Sequence, residues 1–151
     1  MIDKADFRII DLAVFIIANL INLLLVGIFL SRPSGLEKVE YILGLVMVSL
    51  ILPVGLAILL NAMARREWWT IVLPLLLILY LVIELLLDYI LKLDFRSTAL
   101  LWPYLVVFYV ALMGMIGYSF LIKKSFGYVT LCTYFLSLLA TWYSYAKVGH
   151  G

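Results

Sequence analysis

Two carboxyl groups stand inside the most aliphatic stretch of the chain. Glu84 and Asp88 interrupt the run from Ile78 to Leu91, which is otherwise Leu, Ile, Val and Tyr. At the centre of a bilayer an acidic side chain costs at least roughly 2.5 kcal/mol on insertion scales, so it needs a partner, water or a proton. Tyr80, Glu84, Asp88 and Lys92 recur at every fourth residue, which puts them on one face of a helix. Lys92, one turn beyond Asp88, is placed to pair with it. Two carboxylates a turn apart repel when both are ionised, so such a pair suits the uptake of a proton or a cation. The structural alternative is an Asp88–Lys92 interfacial ion pair beside a protonated, hydrogen-bonded Glu84.

Other polar residues fall at matching depth. Asn19 and Asn22 lie near the middle of the first apolar run, Asn22 at about the level of Glu84. Such amides commonly hydrogen-bond between helices. Tyr104 and Tyr109 sit at mid-depth or above it in the fourth run. The candidate binding set is therefore Glu84, Asp88, Asn22, Tyr80, Tyr104 and Tyr109. With Tyr143, Ser144 and Tyr145 they would line a vestibule at one end, where aromatic rings and carboxylates suit an organic cation. In the fifth run Thr130, Thr133, Ser137, Ala140 and Ser144 recur at spacings of three, four, three and four. Small residues at that spacing let helices approach closely, so this is a packing seam.

Several chemistries lack their residues. Cys132 is the single cysteine and His150 the single histidine, so disulfides, thiolate zinc sites and bis-histidine ligation are excluded. No glycine-rich phosphate loop or nucleophile elbow occurs. No serine has a His–Asp partner. No catalytic residue, metal site or cofactor is expected. A net charge of +2 gives no basic patch for nucleic acid. Cys132, within an apolar run, reads as an inert packing residue.

The elements that must position these groups follow from composition. Of 151 residues, 67% are hydrophobic and 13% charged, and the mean hydropathy is +1.20. Soluble domains run at about 45–50% apolar and about 25% charged. The chain is therefore expected to be an all-α integral membrane protein. Five apolar runs, at about 9–30, 41–63, 68–91, 100–122 and 128–146, each approach the ~20 residues that cross a hydrocarbon core. They predict a bundle of five transmembrane helices with short loops, forming a single domain over 1–151. The first run is too long for a signal sequence and is expected to be retained. Pro53 and Pro74 fall inside helices and predict kinks. Trp68, Trp69, Trp102 and Trp142 lie near helix ends, where indole rings favour the interface.

Lys4, Arg8, Arg65, Arg66, Lys123 and Lys124 would share one face, against Arg32, Lys38, Lys92, Arg96 and Lys147 on the other. The paired cations in the tightest loops favour an inside N-terminus and an outside C-terminus. The leading functional reading is a non-catalytic subunit or scaffold of a membrane assembly, with the bilayer, further copies of itself or other membrane subunits as partners. The alternative is a small cation- or proton-coupled carrier using Glu84 and Asp88. The third is an intramembrane enzyme on a lipid or isoprenoid substrate.

Overall fold

The computed structural model describes residues 4–149, with side chains from Phe7 onward. His150 and the Lys4 side chain, both used above, lie outside the described residues. Helix α1 spans Lys4–Ser31, α2 Glu37–Ser49 and α3 Ile51–Met63. Helix α4 spans Trp69–Glu84 and continues as a π-helix, Leu85–Ile90. A 3-10 turn, Phe95–Ser97, leads to α5, Leu101–Ile122, and α6, Lys124–Val148. No strand occurs among the described residues. Among the described residues five helices are long and apolar enough to cross a membrane, with α2–α3 and α4 plus its π-turn each counting as one.

The apolar runs located all five spans, clipped the first, second and fifth, and matched the third and fourth to within a residue at each end. Helix α1 begins at Lys4 rather than near 9, and α6 covers 124–148 rather than 128–146. Charged residues at those ends are compatible with helix, so the helix outlasts its apolar part. A loop over 123–127 is replaced by one extended residue, Lys123, with φ −161°.

The two prolines act differently. Pro53 cannot engage the carbonyl of Ser49, four residues back, and its ring crowds it. The helix breaks there, between Ser49 and Ile51. Pro74 leaves α4 continuous. The carbonyl it leaves free belongs to Thr70, and the Asn61 amide donates to that oxygen at 3.1 Å. A neighbouring helix thus supplies the missing hydrogen bond.

Consecutive spans run antiparallel, so the turns at 32–36 and 91–100 share one end, termed the upper end. The turns at 64–68 and Lys123 share the lower end. Helix α1 packs most extensively on α6, and α4 on α5. Its inward face reads Val14, Ile17, Ala18, Ile21, Leu25, Ile28 and Phe29, all buried, at helical spacing. The outward faces are apolar too: Leu52 is 78% exposed and Leu139 61%. At the upper end Gly44 lies against the Tyr89 hydroxyl, a position with no room for a Cβ.

Candidate functional site

The π-helix decides where the acidic pair points. Below it, α4 buries Leu77, Tyr80, Leu81 and Glu84 on one face. From Leu85 the wider turn changes the rotation per residue, and the Leu91 amide reaches back five residues to Leu86 at 2.8 Å. The four-residue stripe therefore ends before Lys92. That residue is exposed with φ 49°, a left-handed conformation at the helix end. Lys92 makes no ion pair with Asp88. The partner is Arg96, whose guanidinium donates to both Asp88 oxygens at 2.9 and 2.6 Å.

Arg96 is held there by its loop. The 3-10 turn buries Phe95 against Tyr104, ring centroids 4.8 Å apart, and Arg96 lies over the Phe95 ring at 4.7 Å. Glu84 is buried, accepts a hydrogen bond from the Tyr104 hydroxyl at 2.6 Å, and lies 3.8 Å from Arg96. One guanidinium thus serves two carboxylates, with a phenol on the deeper one. Burial works against the charge on Arg96. The hydrogen bonds and charge of Asp88, with Glu84 behind it, more than offset this and hold its pKa above the ordinary value.

This cluster forms the end of a cavity of about 370 Å³. Its body is apolar, with Leu25, Phe29, Leu105, Phe108 and Leu138 among its walls, and it ends at Arg32, Arg96, Glu84 and Tyr104. Leu25 is seven residues below Arg32, so the cavity descends about 10 Å along α1. Trp142 and Tyr145 line it while remaining 71% and 61% exposed, so it reaches the outer surface of α6. A second cavity of about 250 Å³ shares Ile28, Arg32 and Glu84 with the first. Its other walls include Glu37, Glu40, Asp88 and Tyr89. Arg32 lies between the two. Its Nε donates to Glu40 at 2.7 Å, its guanidinium is 5.1 Å from the centre of the Phe29 ring, and its buried Nη1 has no hydrogen-bond partner among the described residues.

Of the residues singled out from sequence, Glu84, Tyr80, Tyr104 and Tyr109 line the larger cavity and Asp88 the smaller one. Asn22 lines neither. Its amide donates to Thr133 Oγ1 at 2.9 Å and to the Thr130 carbonyl at 3.4 Å. Asn19 donates to Thr130 Oγ1, accepts from Thr133 Oγ1 at 2.8 Å, and Thr130 in turn reaches Ser119 at 2.9 Å. This is a polar zipper between α1 and α6. Thr130, Ser137, Ala140 and Ser144 are buried within the chain, with Thr133 partly so. Tyr145 joins the cavity, whereas Tyr143 is 43% exposed and does not. Cys132 is exposed, which corrects its reading as a packing residue. Trp68, Trp102 and Trp142 are exposed, but Trp69 packs edge-on to Tyr118 and donates to Glu67.

Sequence reasoning missed three groups. Arg32 and Arg96 counted there only as loop charges. Asp11, an acid near the start of α1, accepts from both Arg66 nitrogens at 2.8 and 2.9 Å and from Tyr118 at 2.8 Å. Arg66 also donates to Asn61 at 3.0 Å. Its hydrogen bond to Asp11 raises its pKa against the opposing effect of burial. The signal that sequence offered was an arginine beside a turn in each case; which acid it meets is set by tertiary packing. Comparison of the chain with protein-family models, with curated proteins and with solved structures gave no match.

Proposed function

We propose that the chain is a multi-pass integral membrane protein, N-terminus inside, that acts as a non-catalytic component of a membrane assembly and holds a small amphiphilic molecule at its outer end. The observation that carries the reading is the larger cavity: an apolar shaft of about 370 Å³ closed by charged groups at one end only. Small-molecule sites have this character, largely apolar with a few converging polar groups, and run from roughly 300 Å³ upward. Membrane residence is supported by the five apolar helices and their exposed aliphatic faces. Those faces would meet lipid, a second copy or another subunit. The inside assignment of the N-terminus rests on Arg65-Arg66 and Lys123-Lys124 in the tightest turns.

A second reading, a cation- or proton-coupled carrier, is favoured by one observation. Glu84 belongs to the walls of both cavities, so it stands where a passing ion would meet it.

Two measurements test the first reading. With Cys132→Ser as background, Ser34→Cys and Lys124→Cys should react with an impermeant maleimide from opposite sides of sealed vesicles. Labelling of both from one side would overturn the topology. Leu105→Trp should fill the shaft and abolish binding of a single-chain amphiphile, read by native mass spectrometry from a neutral detergent. Unchanged binding would overturn the assignment of the cavity.

A further inference from the structure

The two cavities share a wall and differ in character. The larger is apolar along its shaft, and the smaller is lined by four carboxylates, Glu37, Glu40, Glu84 and Asp88. Arg32 faces both. Its side chain is only 10% exposed, and its Nη1 donor is buried without an acceptor. A buried donor left unmade is costly, more so on a charged group, so this position favours a ligand that brings an acceptor oxygen.

Charge decides what else the ligand carries. Around the two adjoining cavities two guanidiniums, Arg32 and Arg96, stand against the four carboxylates. Arg96 is committed to Asp88 in a two-pronged ion pair. A purely anionic head would enter a region already in negative excess. A purely cationic head would suit the carboxylates but leave Arg32 Nη1 unanswered. A head with both charges satisfies both demands, provided its anionic group lies at Arg32 and its cation reaches past it into the smaller cavity.

We infer that the paired cavities hold one amphiphile with a zwitterionic head. A phosphate meets Arg32, an amine lies among Glu37, Glu40 and Asp88, and an acyl chain descends beside Leu25, Phe29, Phe108 and Leu138. This rests on the reading of the larger cavity as an amphiphile site and adds the identity of the head.

The test uses the full chain in neutral detergent with three probes of equal acyl length: lysophosphatidylethanolamine, lysophosphatidic acid and monoacylglycerol. Native mass spectrometry should show the zwitterion bound about tenfold or more tightly than the neutral probe, the scale of one charge-assisted hydrogen bond. Arg32→Gln should bring the zwitterion down to the neutral probe. Glu37→Gln with Glu40→Gln should bring lysophosphatidic acid up to or above the zwitterion. The selectivity of the unmodified protein needs no variant to fold. Free phosphoethanolamine should compete weakly, because it lacks the chain; competition equal to the lipid would overturn the joint use of the two cavities. Equal binding of zwitterionic and neutral probes, or preference for the pure anion, would overturn the head assignment while leaving the cavity assignment intact. No binding of any probe, with Leu105→Trp indistinguishable from wild type, would overturn the underlying reading itself.

Discussion

Each end of the bundle carries an arginine gripped by both oxygens of an aspartate, with a tyrosine hydroxyl on a nearby carboxylate. At the lower end these are Arg66, Asp11 and Tyr118; at the upper end they are Arg96, Asp88, Glu84 and Tyr104. The chemistry is nearly the same and the surroundings are not. The lower cluster ties three elements together, α1, the 64–68 turn and α5. Its spare donor is used on Asn61, which in turn satisfies the carbonyl freed by Pro74. It borders neither of the two cavities. The upper cluster has one arginine for two carboxylates, draws Asp88 from a π-helix, and contributes to the walls of both cavities beside an arginine with an unanswered donor. The same kind of ion pair is enclosed by packing at one end and borders open cavities at the other.

The largest effect should come from breaking the staple. Asp11→Ala takes the carboxylate from partly buried Arg66 and leaves it only the Asn61 oxygen, and should cost about 3 kcal/mol, the lower end for a buried pair, read by unfolding in a denaturing-detergent titration. Asp88→Ala should cost less, about 1–3 kcal/mol, because Glu84 lies 3.8 Å from Arg96 and can take up the pair. Equal losses would break the distinction between the ends. Ala140→Leu or Ser137→Leu inserts bulk into the seam of α6 and should cost about 1–3 kcal/mol, with no preference for either end. Thermal stability unchanged in both variants would count against a close helix contact there. The smallest effect sharpens the symmetry instead. Arg65 and Lys92 each adopt a positive φ, 50° and 49°, in turns at opposite ends. Glycine at either should stabilise by about 1 kcal/mol, by relieving the left-handed strain of a side chain.

The sequence made the five helices legible because length and apolar content are properties of a segment by itself. Glu84 and Asp88 were equally visible, since an acid in an aliphatic run needs no context to stand out. Rotation about the helix axis was not visible. Asn22, placed at the depth of Glu84 by its position in the run, faces Thr130 and Thr133 on α6 and lines neither cavity. Lys92 lost its expected place because the π-helix changes the residue spacing, and no residue type announces that change. Arg96 is brought back to Asp88 by a 3-10 turn whose course depends on burying Phe95. Asp11 and Arg66 are 55 residues apart in sequence, and only tertiary packing joins them. Contacts that depend on which faces meet were the ones out of reach.

The central claim is that the upper cluster serves a binding cavity and the lower one serves stability alone. Binding of lysophosphatidylethanolamine to Leu105→Trp and to Tyr118→Phe, measured side by side by native mass spectrometry, tests it most directly. Tyr118→Phe removes the hydroxyl on Asp11 and should lower stability by about 1 kcal/mol while binding stays at the wild-type level. Leu105→Trp should remove binding with stability little changed. Wild-type binding by Leu105→Trp, or an equal loss of binding in Tyr118→Phe, would contradict the account.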